Sequence, residues 1–358
     1  MDGPGSFSLK NAKALVSGNA INFEVVHMTL LKRCPVVAVV SETLSSGRRA
    51  SGLRYAVSVF AFLCLLLISS NEAYAGQASH PKREVDWHAI GSTPCVWSPP
   101  VVDAKGAIDP EATIRVLKAN GLGCYGALIW RQGEHPFDWA SFKRFVAVAK
   151  PAGIDVWAIL IPPSEGGNSP PFNRNYVSWM QGLARLSLRF PNLRGVNIDD
   201  FYWDYKFFTP QYTCQMYSAK QKINPRLQFA PTIYGLDTDF AQRYGGCIDG
   251  VWLWWRDLEG NVGLDAWLKN SRLAEKDRFP IYGGVYAGTT HWHKEGRPEP
   301  SVLRGALETT CRYANGAVIW QMALTPPNPL LDVAHSFGTG GPSALAGRCG
   351  TFVHESGH

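Results

Sequence analysis

Two adjacent carboxylates, Asp199 and Asp200, follow the apolar run Gly195-Val196-Asn197-Ile198. Like charges packed this closely in a partly dry setting repel, so one of the pair can hold a proton near neutral pH and release it as a general acid. Glu134, Glu165, Asp204 and Asp257 are candidates for a facing base or nucleophile, which in acetal cleavage stands roughly 5 to 9.5 Å from the acid. Glu165 is favoured among them, because Ser164-Glu165-Gly166-Gly167-Asn168 is a glycine-rich loop whose backbone can approach a ligand. The plainer alternatives are an Asp199–arginine pair with Asp200 capping a loop, and a solvated Glu165. Around these acids fall Trp97, Trp130, Tyr234, Trp254, Trp255 and Tyr286, together with Arg131, His291 and Gln321. Rings stack on the apolar faces of sugars while carboxylates and other polar groups bond hydroxyls or move protons.

These residues share one kind of position. From residue 92 onward a short apolar run, a polar loop and an amphipathic stretch repeat eight times, which predicts strands over 93–97, 125–130, 155–161, 195–201, 228–233, 250–255, 281–286 and 317–321. The clearest helices are expected over 110–120, 139–149, 177–190 and 301–314. Asp109 should cap the first, with Pro110 in its first turn, and Gly121, Gly153 and Asn315 should end three of them. Alternating β and α units imply an α/β fold with a parallel sheet. Eight of them close most simply into a single-domain (β/α)8 TIM barrel over 76–325, with an open doubly wound sheet as runner-up. In a barrel the functional groups gather at the C-terminal ends of the strands, where every residue named above then falls. No GxGxxG follows the first strand and no phosphate-binding loop or nucleophile elbow occurs, so no cofactor is expected. His291 and His293 alone do not make a metal site, and none is expected.

The acid pair, then Phe229-Ala230-Pro231-Thr232-Ile233-Tyr234, then Trp252-Leu253-Trp254-Trp255, resemble in order and spacing the TIM-barrel glycoside hydrolases of the O-GlcNAcase and hyaluronoglucosaminidase-like group. The likeness spans about a third of the barrel. It implies Asp200 as general acid/base and Asp199 as the group that orients a substrate acetamido, which itself attacks the anomeric carbon. Chitinase-type barrels resemble the same strand but want a Glu near Phe201. The seventh strand ends in Val285-Tyr286-Ala287 and offers no nucleophilic glutamate. The expectation is a glycosidase or transglycosylase acting on an oligo- or polysaccharide. A non-catalytic carbohydrate-binding barrel and a metal-assisted hydrolase on Asp199, Asp200, His291 and His293 are the alternatives.

The N-terminal part predicts export. Arg48, Arg49 and Arg54 precede an apolar run over 56–68 and then Ala73-Tyr74-Ala75, the three parts of a signal peptide over 48–75. The run is short for a bilayer, so a lasting membrane anchor is disfavoured and a secreted or periplasmic location expected. Residues 1–47 show no clear period and read as an extension from a misassigned start; 326–358 is glycine- and proline-rich and reads as a tail on the barrel. Net charge is +6 without a basic stripe, which gives no footprint for nucleic acid. Beyond the leader stand six cysteines, with Cys214–Cys247 and Cys311–Cys349 favoured as disulfides and Cys95 and Cys124 open to remaining buried thiols.

Overall fold

The structure is a computed structural model that describes residues 93–130, 137–256, 261–276, 278–288 and 297–338. The expected leader, Arg131, Glu134, Asp257, His291, His293 and Cys349 lie outside the described residues. The strands are β1 (Cys95–Trp97), β2 (Cys124–Ile129), β3 (Asp155–Leu160), β4 (Leu193–Ile198), β5 (Gln228–Phe229), β6 (Thr232–Ile233), β7 (Val251–Trp254), β8 (Ile281–Tyr286) and β9 (Gly316–Trp320). Between or after them run α1 (Pro110–Ala119), α2 (Trp139–Ala149), α3 (Tyr176–Arg189), α4 (Pro210–Gln221), α5 (Thr238–Tyr244), α6 (Leu264–Glu275), α7 (Pro300–Tyr313) and α8 (Pro329–Gly338).

Every strand pairing is parallel, in the order β5-β4-β3-β2-β1-β9-β8-β7-β6. β5 and β6 are halves of one stave, interrupted at Ala230-Pro231. The first half bonds β4 and the second bonds β7. Within the gap the Ala230 N–H donates to Val196 O at 3.0 Å and Pro231 O accepts from Trp252 N at 2.9 Å. Proline cannot donate to a ladder, and here it only has to accept. The eight staves therefore close, and the chain is a (β/α)8 barrel.

Local chemistry sets the helix ends. Asp109 accepts from the Ala112 N–H at 2.8 Å with Pro110 in the first turn, and Asp138, Asn175, Thr209 and Asp237 cap α2 to α5 in the same way. Such caps contribute about 1 kcal/mol each. Gly121 and Gly153, just past α1 and α2, take the left-handed conformation expected of them.

Strand alternation sorts the apolar residues into two cores. Outward residues such as Val96, Ile198, Leu253 and Ile319 pack under the helices. Inward residues Trp97, Trp157, Trp252, Trp254 and Tyr282 fill the barrel. Rings this large fit because the facing positions are glycine: a Cβ at Gly195 would run into Trp157, and one at Gly284 into Trp254. Cys95 and Cys124 are register partners inside this core, with Cα atoms 4.4 Å apart, and are joined in a disulfide rather than standing as thiols. Cys214–Cys247 forms as the sequence suggests, and Cys311 is half of a further disulfide. Among the described residues no helix is long and apolar enough to cross a membrane.

Candidate active site

The acids sit where β4 stops. The strand was expected to run on to Phe201, but it ends at Ile198 because Asp200 adopts φ +44°, turning the chain across the barrel mouth. Aspartate tolerates this left-handed region better than most residues, though at a cost in backbone energy that is characteristic of functional positions. The turn is held from both sides: Asp199 N–H donates to Leu160 O on β3 at 2.8 Å, and Asp200 N–H donates to Asp199 Oδ1 at 2.9 Å. Directly beneath, buried Asn197 donates through Nδ2 to Ala230 O at 2.7 Å and accepts from Thr232 Oγ1 at 3.2 Å. Trp254 Nε1 donates to the same threonine hydroxyl at 3.3 Å. This polar layer ties β4 to the broken stave and fixes the floor under the acids.

Glu165 comes from the loop after β3, where Pro163–Glu165 forms a 3-10 turn. The glycines that follow do not leave this loop loose. A Cβ on Gly167 would strike the carbonyls of Ile161 and Pro162, and the Tyr176 hydroxyl donates to Ile161 O at 2.5 Å. The backbone here approaches its own strand end. Ser164 donates through both its hydroxyl and its N–H to Asp204, so the β3 and β4 loops are bound to each other.

Charge and burial act together on these carboxyls. Glu165 keeps an exposed edge, but the surrounding walls desolvate its carboxyl, which points at Asp200 closely enough to share a proton with it. With Asp204 adding negative charge, its pKa is pushed up to about 7. Asp199 is held well above the usual carboxylate range by desolvation and by the charges of Asp200 and Glu165, against the opposing pull of the Asp200 N–H. The Tyr234 hydroxyl donates to Asp200 Oδ1. Burial, then the neighbouring acids, raise the pKa of Tyr234, so it stays protonated and remains a fixed donor. Tyr286, only 8% exposed, is shifted the same way by burial and by Asp199, and it is hydrogen-bonded to Tyr234.

Beside the acids opens a cavity of about 400 Å³ whose walls include Trp97, Pro99, Pro100, Leu128, Trp130, Trp320, Gln321, Glu165 and Asp199. Gln321 takes φ +52° just after β9, and its N–H donates to Trp97 O at 2.8 Å. The expected residues Trp97, Trp130, Gln321, Glu165 and Asp199 therefore meet in one cavity. Asp200 stands behind its walls, in contact with Glu165 and Asp199 and bonded by Tyr234, while Asp204 and Tyr286 belong to the same polar cluster without lining the cavity. Two expectations need correction. Trp254 is 2% exposed and part of the barrel filling, so it offers no face to a ligand. Trp255 turns outward and packs on Trp267 of α6, ring centroids 5.1 Å apart. The structure adds Trp320 on the cavity wall and the exposed rings of Tyr202, Trp203 and Tyr205 to the residues the sequence points to. The aromatic density of Phe201-Tyr202-Trp203-Asp204-Tyr205, immediately after the acid pair, was the signal for the latter.

Among the described residues no group of three or more His, Cys, Asp or Glu is arranged to hold a metal ion. The arrangement can hold a proton on Glu165 up to about pH 7, facing a ring-lined cavity of small-ligand size.

No protein-family model matches the chain, and no curated protein matches it. Among solved structures, the chain is similar to a GH113 β-1,4-mannanase at 11% identity over 68% of this chain and 97% of the other, with a TM-score of 0.48. A chitinase from Bacteroides thetaiotaomicron aligns at 12% identity over 73% and 99% of the two chains, with a TM-score of 0.47. An α-amylase from Geobacillus thermoleovorans aligns at 10% identity over 69% and 78%, with a TM-score of 0.46.

Proposed function

We propose that this protein is an exported glycoside hydrolase that cleaves an oligo- or polysaccharide of 2-acetamido sugars. The observation that carries the reading is the cluster of Glu165, Asp199 and Asp200, three mutually repelling carboxyls of which Glu165 and Asp199 line an aromatic-walled cavity. Glu165 and Asp200 are near enough to share a proton, so no sugar ring fits between them. They cannot then serve as acid and nucleophile across a glycosidic bond, which needs a separation of roughly 5 to 9.5 Å. An attacking atom supplied by the substrate removes that requirement.

Asp200 already accepts from Tyr234, and this leaves the mobile proton to Glu165, whose exposed edge reaches the ligand. In the proposed step the acetamido carbonyl oxygen attacks the anomeric carbon with Asp199 receiving the acetamido N–H. The bond to the leaving oxygen breaks and that oxygen takes the proton from Glu165. Water then opens the cyclic intermediate at the anomeric carbon and returns a proton to Glu165. Export is supported by the disulfides Cys95–Cys124 and Cys214–Cys247, which persist in oxidising compartments.

The test is incubation of the protein and of Glu165→Gln with a panel of glycans that includes N-acetylglucosaminides, followed by reducing-end assay and product mass. Cleavage of acetamido glycans by the parent and not by the variant is expected. Binding of glycans without any turnover by the parent would sink the catalytic reading in favour of a binding barrel.

A further inference from the structure

The loop joining β4 to α4 carries more apolar surface into solvent than its anchoring requires. Its two ends are fastened by Phe201 and Phe208, both buried and stacked on each other at 4.8 Å. Between them Tyr202, Trp203 and Tyr205 stand 38%, 48% and 53% exposed. Single exposed aromatics are ordinary on protein surfaces, but three within four residues beside an acidic cavity mark a contact surface.

The loop is also fixed in place. Asp204 accepts from Ser164 in the neighbouring loop, and the N–H groups of Phe207 and Phe208 both donate to Asp204 O at 2.8 Å. The Trp203 ring stacks on Tyr234 at 5.8 Å and 28°, and the Arg256 guanidinium lies 5.3 Å from the centroids of both rings. Since Tyr234 holds Asp200, the exposed rings are one contact removed from the acids. Tyr202 packs edge-on against Trp203, ring centroids 5.2 Å apart at 88°, so these rings are held in fixed orientations beside the acids.

We propose that Tyr202, Trp203 and Tyr205 are a stacking platform for successive sugar rings of a glycan chain whose reacting unit lies at Glu165 and Asp200. Rigid rings with hydroxyl or N–H rims match the apolar faces and polar edges of pyranoses, and a fixed platform orders the chain with little loss of side-chain freedom. The substrate is accordingly a chain of several units rather than a single terminal glycoside. This rests on the proposed function for the identity of the ligand, but its test does not depend on turnover.

The probe is β-1,4-linked N-acetylglucosamine oligomers of two to six units, titrated calorimetrically against Glu165→Gln and against the same protein carrying Trp203→Ala or Tyr205→Ala. Tyr205→Ala guards against disturbance of Tyr234 through Trp203. Affinity that rises with chain length, and falls about tenfold for the hexamer but little for the dimer in each loop variant, is the expected result. Equal affinity for dimer and hexamer, loop variants that bind the hexamer as tightly as their parent, or no binding of any oligomer overturns the platform. Cleavage of the hexamer by the unmodified protein reads the catalytic proposal separately. A protein that binds through the loop yet cuts nothing keeps the platform and loses the proposed function, and one that cuts without needing the loop does the reverse.

Discussion

The barrel buries acids in opposite ways at its two ends. At the N-terminal end Asp249 and Lys220 meet at 2.5 Å, both with side chains 0% exposed, and the Phe229 N–H donates to the same carboxylate at 2.8 Å. At the C-terminal end Asp199 lies beside Asp200 and Glu165, so burial and like charge push in the same direction. An acid that serves only the fold is given a cation and a backbone donor. Acids left among others of their own sign hold protons more tightly, and the proton that Glu165 keeps up to about pH 7 is a reagent.

The largest effect that would sharpen this contrast is on turnover. Glu165→Gln and Asp200→Asn should each lower kcat by about 10²- to 10⁴-fold while leaving the thermal unfolding profile cooperative. Retention of most of the activity in both would make the upper acids as passive as the lower pair. Next in size, Lys220→Met strands Asp249 without its cation and should cost about 3–5 kcal/mol in denaturant unfolding, with activity per folded molecule preserved. A near-neutral result there would remove the difference between the two ends from below.

The pH dependence should be governed by Glu165. Its pKa rises from 4.5 to about 7, so the proton is present below about pH 7 and lost above it. A kcat profile should therefore fall roughly tenfold per pH unit on the alkaline side. The smallest effect is on stability. A carboxyl whose folded pKa lies above its ordinary value contributes stability that is full below that value, 3.8 for Asp199, and lost as pH rises. Asp199→Asn should accordingly raise the melting temperature at pH 8 by roughly 2–4 °C, with the gain vanishing toward pH 4. A loss of stability at pH 8 would show that the charge is well accommodated.

The barrel was legible because each stave announces itself locally. β8 falls where the apolar run Ile281–Tyr286 predicts it, and α2 where the pattern from Trp139 to Ala149 does. Strand four is shorter than its apolar run predicts, since nothing in the letters of Asp200 declares its positive φ; the turn is imposed by contacts to β3 and to its own neighbour. The acids themselves were visible as types at strand ends. The tryptophans were harder. Alternation says that Trp252 and Trp254 share a face, but the size of the space inside the barrel decides whether that face is core or mouth, and glycines on other staves set that size. Trp203 is illegible for the opposite reason: a loop has no period, so its rings carry no label for in or out.

The cross-link between Cys95 and Cys124 lies inside the stave wall, where neither residue exposes any surface, whereas Cys214 and Cys247 are only half buried. Thiol exchange requires access to the sulfur. The inner bond must consequently be made before the first and second staves are enclosed, and a reductant added afterwards reaches Cys214–Cys247 but not this pair. A copy that closes in reducing surroundings seals two thiols where no later oxidant corrects them. Each finished molecule thus carries, in that one pair of sulfurs, a record of the surroundings in which it was assembled.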